Sequence, residues 1–184
     1  MSKIAVFFPG IGYRFDRPLL YFSRKLAANY GYEIIYVEYT GFSADAKGSR
    51  EGLTTAINEA FLYAKEILDA KEFAQYDDIL FVSKSIGTAV ASRYAYEKGL
   101  KTKNIYYTPL HETFEYPMGD GIIFHGTCDQ FEDTDVIKCL SGKAGLPLHI
   151  LADGNHSLET GNVERDIVYL KAIMELSERY IAGL

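Results

Sequence analysis

The feature that most constrains the fold is a regular alternation between two kinds of segment. Short apolar runs of strand length are each followed by a longer stretch with helical periodicity. Ile4-Ala5-Val6-Phe7-Phe8 is a continuous apolar run, the pattern of a strand covered on both faces. Strands of the same kind are predicted at Glu33–Val37, Asp78–Val82, Asn104–Tyr107, Gly121–Phe124 and Leu148–Leu151. Strands that alternate with helices build right-handed βαβ units. The expectation is an α/β three-layer sandwich, 1–184 as one domain, with about six mostly parallel strands in the order 2-1-3-4-5-6 and helices on both faces.

The helices carry their own start signals. Asp16 is a candidate cap for a first helix, with Pro18 in its first turn and Leu19, Leu20, Phe22 and Leu26 as its buried stripe. Ser49 caps a long helix with Leu53, Ala56, Ile57, Ala60, Phe61, Ala64, Ile67 and Leu68 on one face. An Ala-rich helix runs to about Lys98, and Asp133 caps a short one through Leu140. Asn162 caps the last helix, whose inner side is expected to hold Ile167, Leu170, Met174 and Ile181. Thr40–Arg50 reads as an exposed loop.

Composition narrows the partners. The net charge is −6 and the basic residues are scattered, which argues against nucleic acid or an anionic membrane surface. The first apolar run stops at Pro9, too short for a secretory core or a membrane span. Cys128 and Cys139 lack zinc-type spacing and partner histidines, so a reduced, cytoplasmic protein is expected. Oligomeric state is not legible.

The chemistry is concentrated in Asp78-Ile-Leu-Phe-Val-Ser-Lys-Ser-Ile-Gly-Thr-Ala-Val-Ala91. A strand turns at Ser83-Lys84-Ser85-Ile86-Gly87 directly into a helix of small residues, the context a nucleophile elbow requires. So tight a corner needs small residues two before and two after its apex, and Ser83 and Gly87 meet that need. The plainer alternative for Ser85 is a helix N-cap. Lys84, at the variable position, is expected to be solvated.

The segment resembles the α/β-hydrolase family, whose elbow usually reads G-x-S-x-G; Ser83 replaces the first glycine here. Two later segments add to the resemblance in the family's chain order. His125-Gly126-Thr127-Cys128-Asp129 resembles its H-G-x-x-D acid segment, and Ala152-Asp153-Gly154-Asn155-His156 its histidine loop. The resemblance implies a serine hydrolase with Ser85 as nucleophile, His156 as general base and Asp129 as the acid that orients it. It also implies an oxyanion hole from the Ile86 amide and the Gly10-Ile11-Gly12 loop. Such a mechanism requires no metal or cofactor, and its partner is a small-molecule substrate, an ester or else a thioester or amide. The same triad would serve an acyltransferase, and a non-catalytic small-molecule binder on the same fold is a further alternative.

Other residues compete for these roles. Gly10 and Gly12 also suit a dinucleotide-binding turn, with Glu38 after the second strand. Phe15 holds the position of the third glycine that such a turn needs, which argues against it. Tyr13 and His111 are candidate substrate contacts. His125 and His149 suit structural roles, as do Asp133 and Asp135. Only Thr108–Asp120 joins the fourth strand to the fifth, too little for a cap domain, so an open pocket for short acyl groups is expected.

Overall fold

A computed structural model describes residues 1–43 and 48–184. Six parallel strands form one sheet in the order β2-β1-β3-β4-β5-β6. They are β1 (Lys3–Phe8), β2 (Glu33–Tyr36), β3 (Asp78–Lys84), β4 (Lys103–Tyr107), β5 (Asp120–Gly126) and β6 (Leu148–Leu151). Five helices cover it: α1 (Pro18–Asn29), α2 (Arg50–Leu68), α3 (Ile86–Lys98), α4 (Thr134–Ala144) and α5 (Val163–Ala182). Short 3₁₀ turns lie at Phe73–Gln75 and His111–Glu115. The architecture is that expected from the alternation of patterns.

The unbroken apolar character of β1 and β3 follows from their central place. Ile4, Val6 and Phe8 with Ile79 and Phe81 face one core, against Leu53, Ala60 and Phe61 of α2 and Val90 and Tyr94 of α3. Ala5 and Phe7 with Leu80 and Val82 face the opposite core, against Leu19 and Leu20 of α1 and Ile173 and Ile181 of α5. Ile137 of α4 packs on Tyr106 and Ile123, extending the first face towards β6. Fully burying each of these large side chains contributes about 1.5–3 kcal/mol.

Three local expectations are corrected. Arg17, not Asp16, holds the N-cap position of α1, and no side chain caps it; Pro18 at the first position already removes one free amide. Phe22 is 43% exposed and Ile167 63% exposed, so neither belongs to the buried stripe of its helix. The actual stripes are Leu19, Leu20, Ser23 and Ala27 in α1, and Ile173, Ser177 and Ile181 in α5, where small serines let the two helices approach. Ser23 and Ser177 both bond the Tyr107 hydroxyl, at 2.8 and 3.0 Å. Those buried hydroxyls interrupt the apolar pattern that a sequence reading follows.

Other boundaries fall within two or three residues of expectation, except that α4 runs four residues past Leu140, to Ala144. Ser49 caps α2, Asp133 caps α4 and Asn162 caps α5, each side chain accepting a first-turn amide. Residues 44–47 of the expected Thr40–Arg50 loop lie outside the described residues. Thr108–Asp120 holds one 3₁₀ turn, as its length implies.

Candidate active site

All the parallel strands point their C-terminal ends to one rim, where loops from β1, β3, β4, β5 and β6 meet. At the end of β3, Ser85 adopts φ 55°, ψ −125°, between strand and helix. Among the described residues three further non-glycine positions have positive φ: Thr108 (44°), Asp153 (58°) and Leu158 (61°). All four sit in loops at this rim, where strained backbone commonly marks function.

Glycine and tight packing hold the corner. A Cβ on Gly87 would lie 2.6 Å from the Pro9 carbonyl oxygen, so α3 reaches the β1 loop only with glycine there. A Cβ on Gly10 would sit 3.1 Å from Ser85 Cβ, which brings the β1 loop against the serine. The Thr88 hydroxyl and amide both donate to the Ser85 carbonyl, at 2.6 and 2.9 Å, closing the first turn of α3.

His156 faces Ser85 across this corner. Its Nε2 lies 2.8 Å from Ser85 Oγ, and its Nδ1 lies 2.8 and 2.9 Å from the two Asp129 carboxylate oxygens. An ionised carboxylate only accepts, so Nδ1 carries the proton and Nε2 is free to accept from the serine hydroxyl. The Asp129 side chain is fully buried and also accepts from the Phe131 amide at 2.9 Å. Burial alone would raise its pKa, but the His156 bond and charge, with that amide, hold it below the ordinary carboxylate value. Asp133 is occupied in capping α4.

The acid and histidine loops are in van der Waals contact. A Cβ on Gly126 would collide with the Gly154 carbonyl, and the Cys128 amide donates to that same oxygen at 2.9 Å. This is the physical content of the glycine in His125-Gly126-x-x-Asp129. The Phe131 ring covers His156, with ring centroids 4.6 Å apart.

The β1 loop folds back on itself. The Gly10 and Tyr13 amides and carbonyls pair at 3.2 and 3.3 Å, leaving Ile11 and Gly12 at the tip of the turn. Ile86 supplies the first amide of α3, one of those a helix leaves free. A cavity of about 260 Å³ lies over Ser85, walled by Ile11, Gly12, Tyr13, Leu53, Phe131 and His156. A larger one, about 740 Å³, opens near Asp78 and Lys103 at the opposite ends of the strands, far from these groups.

Lys84 departs from expectation. It is 1% exposed, because as the last residue of a central strand it points under the rim rather than out of it. Its Nζ donates to the Thr108 hydroxyl at 2.6 Å and lies 5.1 Å from the centre of the Tyr13 ring. Thr108 in turn donates to the His156 carbonyl at 3.1 Å. Neither the burial of Lys84 nor the part of Thr108 was legible, since both depend on which loops converge.

His111 lies outside the wall of the Ser85 cavity. It joins Glu112, Glu132 and Arg50 in a cluster at the rim. Arg50 Nη1 is 3.2 Å from Glu132 and 3.7 Å from Glu112, and its other terminal nitrogen contacts the His111 ring. Ligand atoms of His111, Glu112 and Glu132 lie within 4.8 Å of one another, which makes them the group that could hold a metal among the described residues. Arg50 already pairs with both carboxylates there. His125 is buried, with Nδ1 3.8 Å from Asp129 and Nε2 3.2 Å from Thr134, and His149 stacks on Phe124. Tyr13 walls the cavity, but its hydroxyl accepts from the Leu19 amide at 3.1 Å.

No protein-family model matches the sequence, and no curated protein sequence matches it. Solved structures do. A protein from Xanthomonas campestris pv. campestris, proposed to be a hydrolase of the alpha/beta superfamily, superposes with TM-score 0.68 at 12% identity, over 100% of both chains. Est1E from Butyrivibrio proteoclasticus gives 0.67 at 12% identity, over 98% of this chain and 89% of its own. A lidless α/β serine hydrolase from Xanthomonas campestris gives 0.58 at 13% identity, over 97% and 83%. The chain has the α/β-hydrolase fold. At these identities the likeness speaks to fold, and the chemistry has to come from the site itself.

Proposed function

We propose that this protein is a serine hydrolase that cleaves a small carboxylic ester through an acyl-enzyme. The observation that carries the reading is the unbroken line from Ser85 Oγ through His156 to Asp129, each link 2.8–2.9 Å. In this reading His156 Nε2 takes the Ser85 proton as the oxygen attacks the carbonyl carbon. Asp129 holds the imidazole in the required tautomer and stabilises its charged form. The Ile86 amide and the tip of the Gly10-Ile11-Gly12 loop receive the oxyanion. His156 then gives its proton to the leaving alcohol, and water repeats the sequence to free the acid. No cofactor takes part in this mechanism.

Two features support a compact substrate. The cavity over Ser85 is small, and the single turn between β4 and β5 provides no cap. Beside it lies an apolar recess of about 180 Å³, lined by Leu19, Leu158, Ile167 and Leu170, which shares Tyr13 and Ser157 with the serine cavity. Among the described residues no helix is long and apolar enough to cross a membrane. The test is hydrolysis of chromogenic acyl esters by the protein and its Ser85→Ala variant. Turnover that the variant loses is expected; equal turnover by both would reject the reading.

A further inference from the structure

We propose that Lys84 is a positioning residue for the histidine base: through the Thr108 hydroxyl it fixes the main chain of His156 and holds a buried cation on that side of the rim. The inference rests on the proposed role of His156 and goes beyond it, to what tunes that base.

The geometry is unusual for a lysine. Lys84 directly precedes Ser85, is 1% exposed, and its one side-chain hydrogen bond among the described residues goes to a hydroxyl rather than a carboxylate. Its other close neighbour is the face of Tyr13, a weak partner for a cation. Burying an ammonium with so little compensation costs stability, and a methionine would fill the same space without that cost. Thr108, its acceptor, is a β-branched residue held at φ 44°, and that backbone directs its hydroxyl to both Lys84 and the His156 carbonyl. The Lys84–Thr108–His156 chain therefore ties the residue before the nucleophile to the residue that activates it.

The charges around the pair define the electrical effect. Facing Lys84 are Asp129 from the β5–α4 loop, Glu159 from the loop before α5 and Tyr13 from the β1 loop. Facing His156 are Asp129, which favours the imidazolium, and Lys84 and His125, which oppose it. Burial, then the Lys84 charge, hold His156 below its ordinary pKa against the pull of Asp129. Burial lowers Lys84 to about 7, so it is charged throughout the range in which His156 titrates. The lysine thus keeps the base unprotonated, and able to accept a proton, in mildly acidic solution.

The experiment follows the His156 imidazole by NMR against pH in the wild type and in Lys84→Met. The readout needs no turnover, so it is separable from the hydrolase reading. Removing the charge is expected to raise the His156 midpoint by on the order of one pH unit. The acid limb of fluorophosphonate labelling at Ser85 should move up by the same amount. If labelling is absent but the midpoint moves, the hydrolase reading fails and the role of Lys84 stands. An unmoved midpoint in folded Lys84→Met overturns the proposal. Should that variant not fold, Thr108→Val removes the hydroxyl link. A roughly 10-fold fall in kcat at unchanged KM, restored by Thr108→Ser, is expected, and wild-type kcat in Thr108→Val overturns the proposal.

Discussion

Replacing Lys84 by methionine should make the folded protein more stable, and by an amount that depends on pH. The Lys84 pKa falls from 10.5 to about 7 on folding, first because burial penalises its charge. At ~1.4 kcal/mol per pH unit, that corresponds to a net cost on the order of 5 kcal/mol, the attraction to Asp129 and Glu159 included, wherever the folded lysine is protonated. The sign follows from proton counts. Below pH 7 both states hold the proton and the full cost applies. Between about 7 and 10.5 the unfolded chain binds a proton that the folded one does not, so wild-type stability rises with pH. Methionine removes this net cost but also the bond to Thr108, worth about 0.5–1.5 kcal/mol. The expected net gain at pH 6 is roughly 3–4 kcal/mol, at the upper end of the range seen when buried charges are replaced by apolar groups. It should shrink towards zero at pH 9.5. Urea unfolding of both proteins at the two pH values measures it. A variant less stable than wild type at pH 6, or a difference independent of pH, would refute the reasoning. Greater stability with poorer tuning of the base is the pattern of a residue kept for activity.

Three further outcomes are expected. Asp129→Asn should retain the fold yet lose about 10⁴ in kcat, because an amide can donate to Nδ1 and favour the wrong tautomer; far-ultraviolet circular dichroism and an ester assay check both halves. Gly87→Ala should destabilise the protein by about 2 kcal/mol or more and cut activity at least ~100-fold, since its Cβ must displace the Pro9 carbonyl 2.6 Å away; thermal melts and kinetics decide it. Acetyl to butyryl esters should be preferred over acyl chains of ten or more carbons, with no jump in rate at the substrate's micellar threshold. A long chain reaching past Leu170 and Ile167 gains much less than ~0.8 kcal/mol per added methylene.

The sheet was legible because its central strands are apolar on both faces, and that requirement shows directly in Ile4–Phe8 and Asp78–Val82. Ser85, Asp129 and His156 were legible because each lies just past a strand, and parallel strands send such residues to one rim. The positions that escaped depend on packing between distant segments. Lys84 reads as a surface charge until the loop after β4 supplies Thr108 beneath the rim. His111 reads as a substrate contact until α2 brings Arg50, and the acid loop Glu132, around it. Phe22 and Ile167 fit a helical stripe by spacing but lie on the flanks, since Ser23 and Ser177 occupy the contact between α1 and α5. Polar residues that complete a core through hydrogen bonds leave no hydrophobic pattern to read.

In the proposed reaction Ser85 is a nucleophile activated by His156. The most direct measurement is intact-mass spectrometry after incubation with a fluorophosphonate, comparing the wild type with Ser85→Ala and His156→Ala. Elimination of fluoride should leave one phosphonyl group per wild-type chain, located by peptide mapping to Ser85. No adduct is expected on Ser85→Ala, and labelling of His156→Ala should be slower by orders of magnitude. A folded wild-type protein that takes up no label, or an adduct mapped to another residue, would contradict the account.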